Sequence, residues 1–109
     1  MDKKFKLRAE DFKNIAIGYG SCIATDMITV LGEKVGFAYR DEPSHNTDSG
    51  WVFMSGNETQ EYMDDANNMA IYDINTIANY DPGIVEILEF PIGSQFEKDS
   101  SGKFVEVNE

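Results

Sequence analysis

A chain of 109 residues with 41% hydrophobic and 12% aromatic content has the makings of a packed domain, not of a disordered segment. Nine basic residues stand against 20 acidic ones, a formal net charge of −11, and such a surface repels nucleic acid and anionic membrane. One cysteine excludes an internal disulfide, one Cys and one His fall short of a zinc ligand set, and no window approaches the roughly 18 to 20 apolar residues of a membrane span.

Phe5, Leu7 and Phe12 are the apolar points of a basic N-terminal segment, residues 1–13, where a short strand and one helical turn over 9–12 are expected. Ile15, Ile17 and Tyr19 alternate and Cys22-Ile23-Ala24 is a short apolar run, so 15–39 reads as β. Within it, 29–31 and 35–39 flank Gly32-Glu33-Lys34 and predict a hairpin. A polar loop over 41–50 leads to Trp51-Val52-Phe53-Met54, a strand for the middle of the sheet because neither face looks solvated. Asn57 with Gln60 three residues on is a capping-box signal for a helix over 58–64, with Glu58 suited to its dipole. Residues 64–68 break the chain, 69–72 form a short strand, and Asp73 caps a helix over 74–78 with Ile74, Ile77 and Ala78 on one face. Asp81-Pro82 opens the next helix, with Ile84, Val85, Ile87 and Leu88 as its buried side and Pro91 as its stop. Phe96 and Phe104-Val105 read as late strand or docking residues, and the acidic tail over 106–109 as frayed. Strands in the N-terminal half and short helices mainly in the C-terminal half predict one α+β domain over 1–109 with a small mixed or antiparallel sheet.

The charge is unevenly placed. Lys3, Lys4, Lys6, Arg8 and Lys13 crowd the N-terminus, whereas no Lys or Arg occurs between Arg40 and Lys98. That stretch holds Asp41, Glu42, Asp48, Glu58, Glu61, Asp64, Asp65, Asp73, Asp81, Glu86, Glu89 and Glu97. Such carboxylates attract basic proteins or cations over ~8 Å, a Debye length at physiological salt. Two readings stand: the solubility of an acidic protein, or a face with a dedicated basic partner. The charged start leads into no apolar h-region and the free Cys22 suits a reducing compartment, so the expected location is the cytoplasm.

Candidate chemistry is thin. Cys22 and His45 are the only pair available for a nucleophilic dyad, and a Cys in an apolar run is usually a small buried hydrophobe. Gly18-Tyr19-Gly20 lacks the third glycine and the lysine of a phosphate loop. Asp64, Asp65, Asn67 and Asn68 offer oxygens to a hard cation but miss the calcium-loop spacing, and Asx-turns at a helix stop account for them equally. A small enzyme or a ligand- or cation-binding protein is therefore the alternative reading. No catalytic residue, metal ligand or cofactor is assigned. For a partner-binding surface the candidates are Trp51, either core or an interface anchor, and Tyr62. Beside them Glu58, Glu61 and Asp65 share a helical face at i, i+3, i+7 spacing, with Asp64 adjacent.

Two blocks carry a family resemblance. The first is Tyr39-Arg40-Asp41-Glu42-Pro43 followed by Asp48-Ser49-Gly50-Trp51-Val52-Phe53-Met54-Ser55-Gly56-Asn57-Glu58. The second is Ile71-Tyr72-Asp73-Ile74-Asn75-Thr76-Ile77-Ala78-Asn79-Tyr80-Asp81-Pro82 followed by Pro91-Ile92-Gly93-Ser94-Gln95-Phe96-Glu97. Over about 22–98 the chain resembles a bacterial family, first catalogued as a domain of unknown function, that is number thirty-three among the immunity proteins of polymorphic toxin systems. The resemblance implies an α+β protein, not an enzyme, that binds and blocks a toxin. A basic, nucleic-acid-directed toxin would suit the acidic stretch. It transfers no catalytic set.

Overall fold

The computed structural model describes residues 4–107. Its strands are β1 (Ser21–Thr25), β2 (Phe37–Arg40), β3 (Asp48–Met54), β4 (Met69–Asp73), β5 (Gln95–Lys98) and β6 (Phe104–Glu106). They form one sheet in the order β4-β1-β3-β2-β5-β6, antiparallel except for the parallel pair β1 and β3. The apolar run Trp51 to Phe53 therefore occupies the interior of the sheet, as its two-sided hydrophobicity requires. The helices are α1 (Asp26–Thr29), α2 (Gln60–Met63) and α3 (Ile74–Tyr80), with 3-10 turns at Ala9–Asp11, Ala66–Asn68 and Pro82–Ile87. The class is α+β, and the mixed sheet draws β4 to β6 from the C-terminal half as well.

Alternation along the strands sorts their side chains onto two faces. Cys22, Ala24, Ala38, Trp51, Phe53 and Phe96 point to one side, where Ile28 of α1, Ile74, Ile77 and Ala78 of α3, and Ile84 and Ile87 of the last 3-10 turn close over them. Trp51 stacks on Phe53 at 5.9 Å with the rings 9° apart, lies 6.2 Å from Phe96, and donates its indole N–H to the Leu88 carbonyl at 3.2 Å. The opposite face is different. Thr25, two residues on from Ile23 and on its face, is 0% exposed and bonded to Glu58, whereas Ile71 opposite Ile23 is 66% exposed, so this side is open at its Ile71 margin.

The helical caps follow the local chemistry. Asp73 accepts from the Asn75 N–H to start α3, and Asp81 accepts from the Gly83 N–H to start the turn that Pro82 opens. Asp81 is 5% exposed and does more than cap: it also accepts from the Val35 N–H at 3.1 Å and pairs with Lys98.

Several expectations are corrected. Residues 15–19 are not a strand but turns that leave Ile17 and Tyr19 at the surface, because Asn75 captures the N–H groups of Ile15 and Ala16 at 2.7 and 2.9 Å. The 29–39 hairpin is absent. Thr29 ends α1, where its side chain and that of Ile28 are buried, and tertiary packing overrides the β-branched preference. Strand β2 instead pairs with β3, across the 41–47 loop. Helix α2 is only four residues long, capped by Thr59 and not Asn57. Val85 is 38% exposed, since the turn it occupies has a period of three and buries Ile84 and Ile87. Strand β6 runs through Glu106, which pairs with Phe96, and the Val107 N–H reaches the Gln95 carbonyl at 2.8 Å. Residues 1–3 of the basic segment and 108–109 of the tail lie outside the described residues.

Candidate functional site

The loop between β2 and β3 sets the site. Register between β1 and β3 runs Ser21 to Asp48 and then Ile23 to Val52, so β3 bulges at Ser49-Gly50. Gly50 has φ 87°, and a Cβ there would sit 2.1 Å from the Asp41 carbonyl oxygen; only glycine lets the loop return this close. The Asp41 N–H closes the loop on the Gly50 carbonyl at 2.7 Å. Inside it, Asp48 accepts from the Ser44 N–H at 2.9 Å, the Ser44 hydroxyl at 3.2 Å and the Gly50 N–H at 3.0 Å. The Ser44 N–H above all holds the Asp48 carboxyl below the usual carboxylate range.

The loop thus stands along one margin of the open sheet face. Beneath it lies a depression of about 210 Å³ whose lining includes Ile23 and Val52 with Asp41, Glu42 and Asp48. A second space of about 30 Å³ adjoins it, between Ile23, Ile71, Ser44, His45 and Asp48. Register carries the apolar floor across four strands: Ile71 opposes Ile23, Ile23 opposes Val52, and Val52 opposes Tyr39. Phe37 lies 6.1 Å from Tyr39 on the same face. Ile71 is 66% exposed. Burial and the neighbouring Asp41 carboxylate push the Tyr39 phenol above its ordinary value. The one nearby guanidinium is engaged elsewhere, since Arg40 donates to the carbonyls of Ser49 at 2.9 Å and Phe90 at 2.7 Å and lies 6.0 Å from the Trp51 ring. Among the described residues the ion pairs, Arg8–Glu10 and Lys98–Asp81, both lie away from this rim.

The residues expected to bind a partner are not brought together as foreseen. Trp51 is 1% exposed and belongs to the core, so it is no surface anchor. Glu58 lies before α2 and Asp65 after it, so Glu58, Glu61 and Asp65 do not share a helical face. Glu58 turns back instead, accepting from the Thr25 hydroxyl and from the N–H groups of Ser55 at 2.8 Å and Gly56 at 2.9 Å. Burial by itself would raise its pKa, and these donors outweigh that and lower it. Asp64 accepts from Gln60, and Asp65 caps the Ala66–Asn68 turn, which is the Asx-turn reading of that segment. Tyr62 is half-buried against the backbone of Asp26 and Met27, its phenol pushed up chiefly by burial. Glu61, Asp64 and Asp65 are exposed.

Cys22 and His45 do line the same small space, yet the thiol is 1% exposed. Burial, reinforced by Asp73 and Asp48, pushes its pKa far up, and the thiolate a nucleophile needs is strongly disfavoured. No group of three or more His, Cys, Asp or Glu among the described residues has a metal-holding arrangement. No helix among them is long and apolar enough to cross a membrane.

The residues that carry the family resemblance have structural occupations. Ser49 donates to the Ser21 carbonyl at 2.6 Å, Gly50 makes the bulge, Ser55 and Gly56 hold Glu58, and Trp51 and Phe96 fill the core. The Tyr72 hydroxyl meets that of Thr29 at 3.2 Å, Pro82 follows the Asp81 cap, and Gly93, φ 98°, donates to the Arg40 carbonyl. Asn75 and Asn79 both donate to the Lys13 carbonyl at 2.9 Å and strap the N-terminal segment onto α3. Sequence reasoning missed this strap and the open-face row Ile71–Ile23–Val52–Tyr39. Asparagines inside a helix, which favour side-chain bonds to nearby backbone, were the available signal for the first. Met69, Ala70, Ile71 and Tyr72 are all apolar or aromatic, so no alternation in the sequence signalled the second.

The immunity protein Imm33 domain family matches residues 22–108, which includes β6 and excludes the strapped N-terminal segment. No curated protein and no solved structure is similar enough to the chain to match it. The chain belongs to the Imm33 immunity protein family.

Proposed function

We propose that this protein binds a cognate bacterial toxin and neutralises it by occupying a basic surface of that toxin. The observation that carries the reading is the family match over 22–108, because an immunity domain implies a protein partner. Charge supports the finer statement. A net charge of −11 steers a cationic partner toward the molecule over a Debye length and speeds the encounter. The exposed carboxylates of Glu61, Asp64 and Asp65 beside Tyr62 contribute to that field, as do Asp41 and Glu42. The buried protonated thiol of Cys22 and the structural use of the motif residues support reading the fold as a binding scaffold.

The test is protection. Cells expressing the toxin encoded beside this gene should survive only when this protein is co-expressed, and the two purified proteins should form a stoichiometric complex. Its association rate should fall at least about tenfold between low and high salt, as steered association does. A toxin that kills equally well in the presence of this protein, with no complex on mixing, would refute the reading.

A further inference from the structure

We infer that the uncovered face of the sheet is the toxin-docking surface, and that it takes a segment presenting an apolar side chain flanked by lysine or arginine. The inference rests on the toxin-binding reading above and names the surface it uses. The floor is the cross-strand row Ile71–Ile23–Val52–Tyr39. At the usual interstrand spacing, four strands carry that row over about 14 Å. Its middle is sunk, with Val52 8% exposed beneath the β2–β3 loop, while Ile71 at the margin is 66% exposed. A row that is apolar and contiguous, sunk at its middle and open to solvent at its Ile71 margin, has the anatomy of an interface centre.

The rim selects the occupant. Asp41 and Glu42 are exposed and stand with Asp48 over the depression of about 210 Å³. The cation nearest in sequence, Arg40, is directed to the other side of the sheet by its bonds to Ser49 and Phe90. A cationic side chain from a partner would meet these carboxylates while its apolar neighbour covers Ile23 and Ile71. A second copy of this chain fits poorly, because an isologous contact brings one acidic rim against another. The α2 end offers Glu61, Asp64 and Asp65 without a comparable apolar row, so charge there steers but does not seat a partner.

The experiment measures affinity for the toxin encoded beside this gene, by calorimetry or surface plasmon resonance. Three proteins are compared with the wild type: Asp41→Lys with Glu42→Lys, Ile71→Ser, and a matched reversal on the opposite side of the molecule, Glu10→Lys with Glu86→Lys. Circular dichroism and melting establish that each folds; Asp41, Glu42 and Ile71 are exposed, so their substitution leaves the core intact. The inference expects the rim reversal to weaken binding about 100-fold or more and Ile71→Ser about tenfold. The matched reversal should change affinity less than about fivefold. Wild-type binding with all three variants within a few-fold overturns the docking surface and leaves the toxin-binding reading standing. A fourth protein, Glu61→Lys with Asp64→Lys, tests the α2 end: loss confined to it likewise overturns the inference and moves the contact to α2. Absence of wild-type binding refutes the toxin-binding reading itself. Sedimentation of the free protein as a dimer that Ile71→Ser dissociates would make this a self-association face and overturn the inference.

Discussion

Replacing Lys98 with methionine removes the cation from the most enclosed carboxylate among the described residues. Asp81 is 5% exposed, and the Lys98 side chain is 18% exposed. Deleting one partner of a buried pair costs about 3–5 kcal/mol where the remaining charge is left without compensation. Asp81 would keep two donors, the N–H groups of Val35 and Gly83, and the lysine site is partly open to water, so a loss of about 2–3 kcal/mol is expected. Methionine keeps the reach of the side chain but also gives up the cation–π contact of the ammonium, 5.1 Å from the Phe104 ring centroid, so the loss is one of charge on both counts. For a chain of this size the loss corresponds to a melting-temperature drop of about 10 °C. Asp81→Asn should cost about as much, since an amide faces the ammonium with a donor and can satisfy only one of the two N–H groups well. The double variant should be less destabilised than the sum of the singles by about 1–2 kcal/mol. Urea denaturation followed by the fluorescence of the single, buried Trp51 is the assay. A Lys98→Met protein within about 0.5 kcal/mol of the wild type would refute the view that this pair ties β5 to the α3 end and the Val35 segment.

Other predictions test separate parts of the account. Asn75→Ala removes bonds to the Ile15 N–H, the Ala16 N–H and the Lys13 carbonyl; it should cost about 1–3 kcal/mol and speed amide exchange at Ile15 and Ala16 while β3 stays protected. Unchanged exchange at those two amides would show that the strap is not held by Asn75. Cys22 should react with a neutral thiol reagent at least about 1,000-fold more slowly in the native protein than in urea, because its thiol is both inaccessible and protonated. Fast native labelling would contradict its placement. Glu58 has a folded pKa below the ordinary value of 4.5, so its stabilising contribution is present above that pH and is lost as pH falls through the folded value. Glu58→Gln should therefore cost about 1 kcal/mol near neutrality, with a shrinking difference from wild type below about pH 4.5, measured by urea titration at several pH values. A difference that grows toward acid would reverse the sign of the argument.

What could be read from the chain was what local chemistry decides. Asp73 and Asp81-Pro82 mark their caps because the side-chain oxygen and the following residues suffice to form them. The central place of β3 follows from an apolar run with no polar side. The family blocks were legible too, and the match extends ten residues beyond the expected boundary, to 108. What could not be read was decided at long range. Thr25, a plausible cap for α1, gives its hydroxyl to Glu58, so the helix carries no side-chain capping bond. The Thr29 carbonyl at its end is satisfied by the Lys6 N–H and the Tyr80 hydroxyl, partners 23 and 51 residues away. Trp51 was ambiguous because alternation does not say which face of a central strand is covered; the helices answer that. The acidic face drawn from i, i+3, i+7 spacing required a helix long enough to hold it, and α2 has four residues.

The two family blocks hold both kinds of residue: Ser49, Gly50, Trp51 and Phe96 build the bulge and the core, while Tyr39, Asp41, Glu42, Val52 and Ile71 of the same blocks form the open-face row and its rim.

Methyl resonances give the most direct measurement. On titrating the adjacent-gene toxin into this protein labelled at isoleucine and valine methyls, the signals of Ile23, Val52 and Ile71 should shift or broaden while those of Ile74, Ile77 and Ile84, sealed on the helical side, stay in place. Perturbation centred on the helical side, with Ile23 and Ile71 unmoved in a saturated complex, would contradict docking on the open sheet.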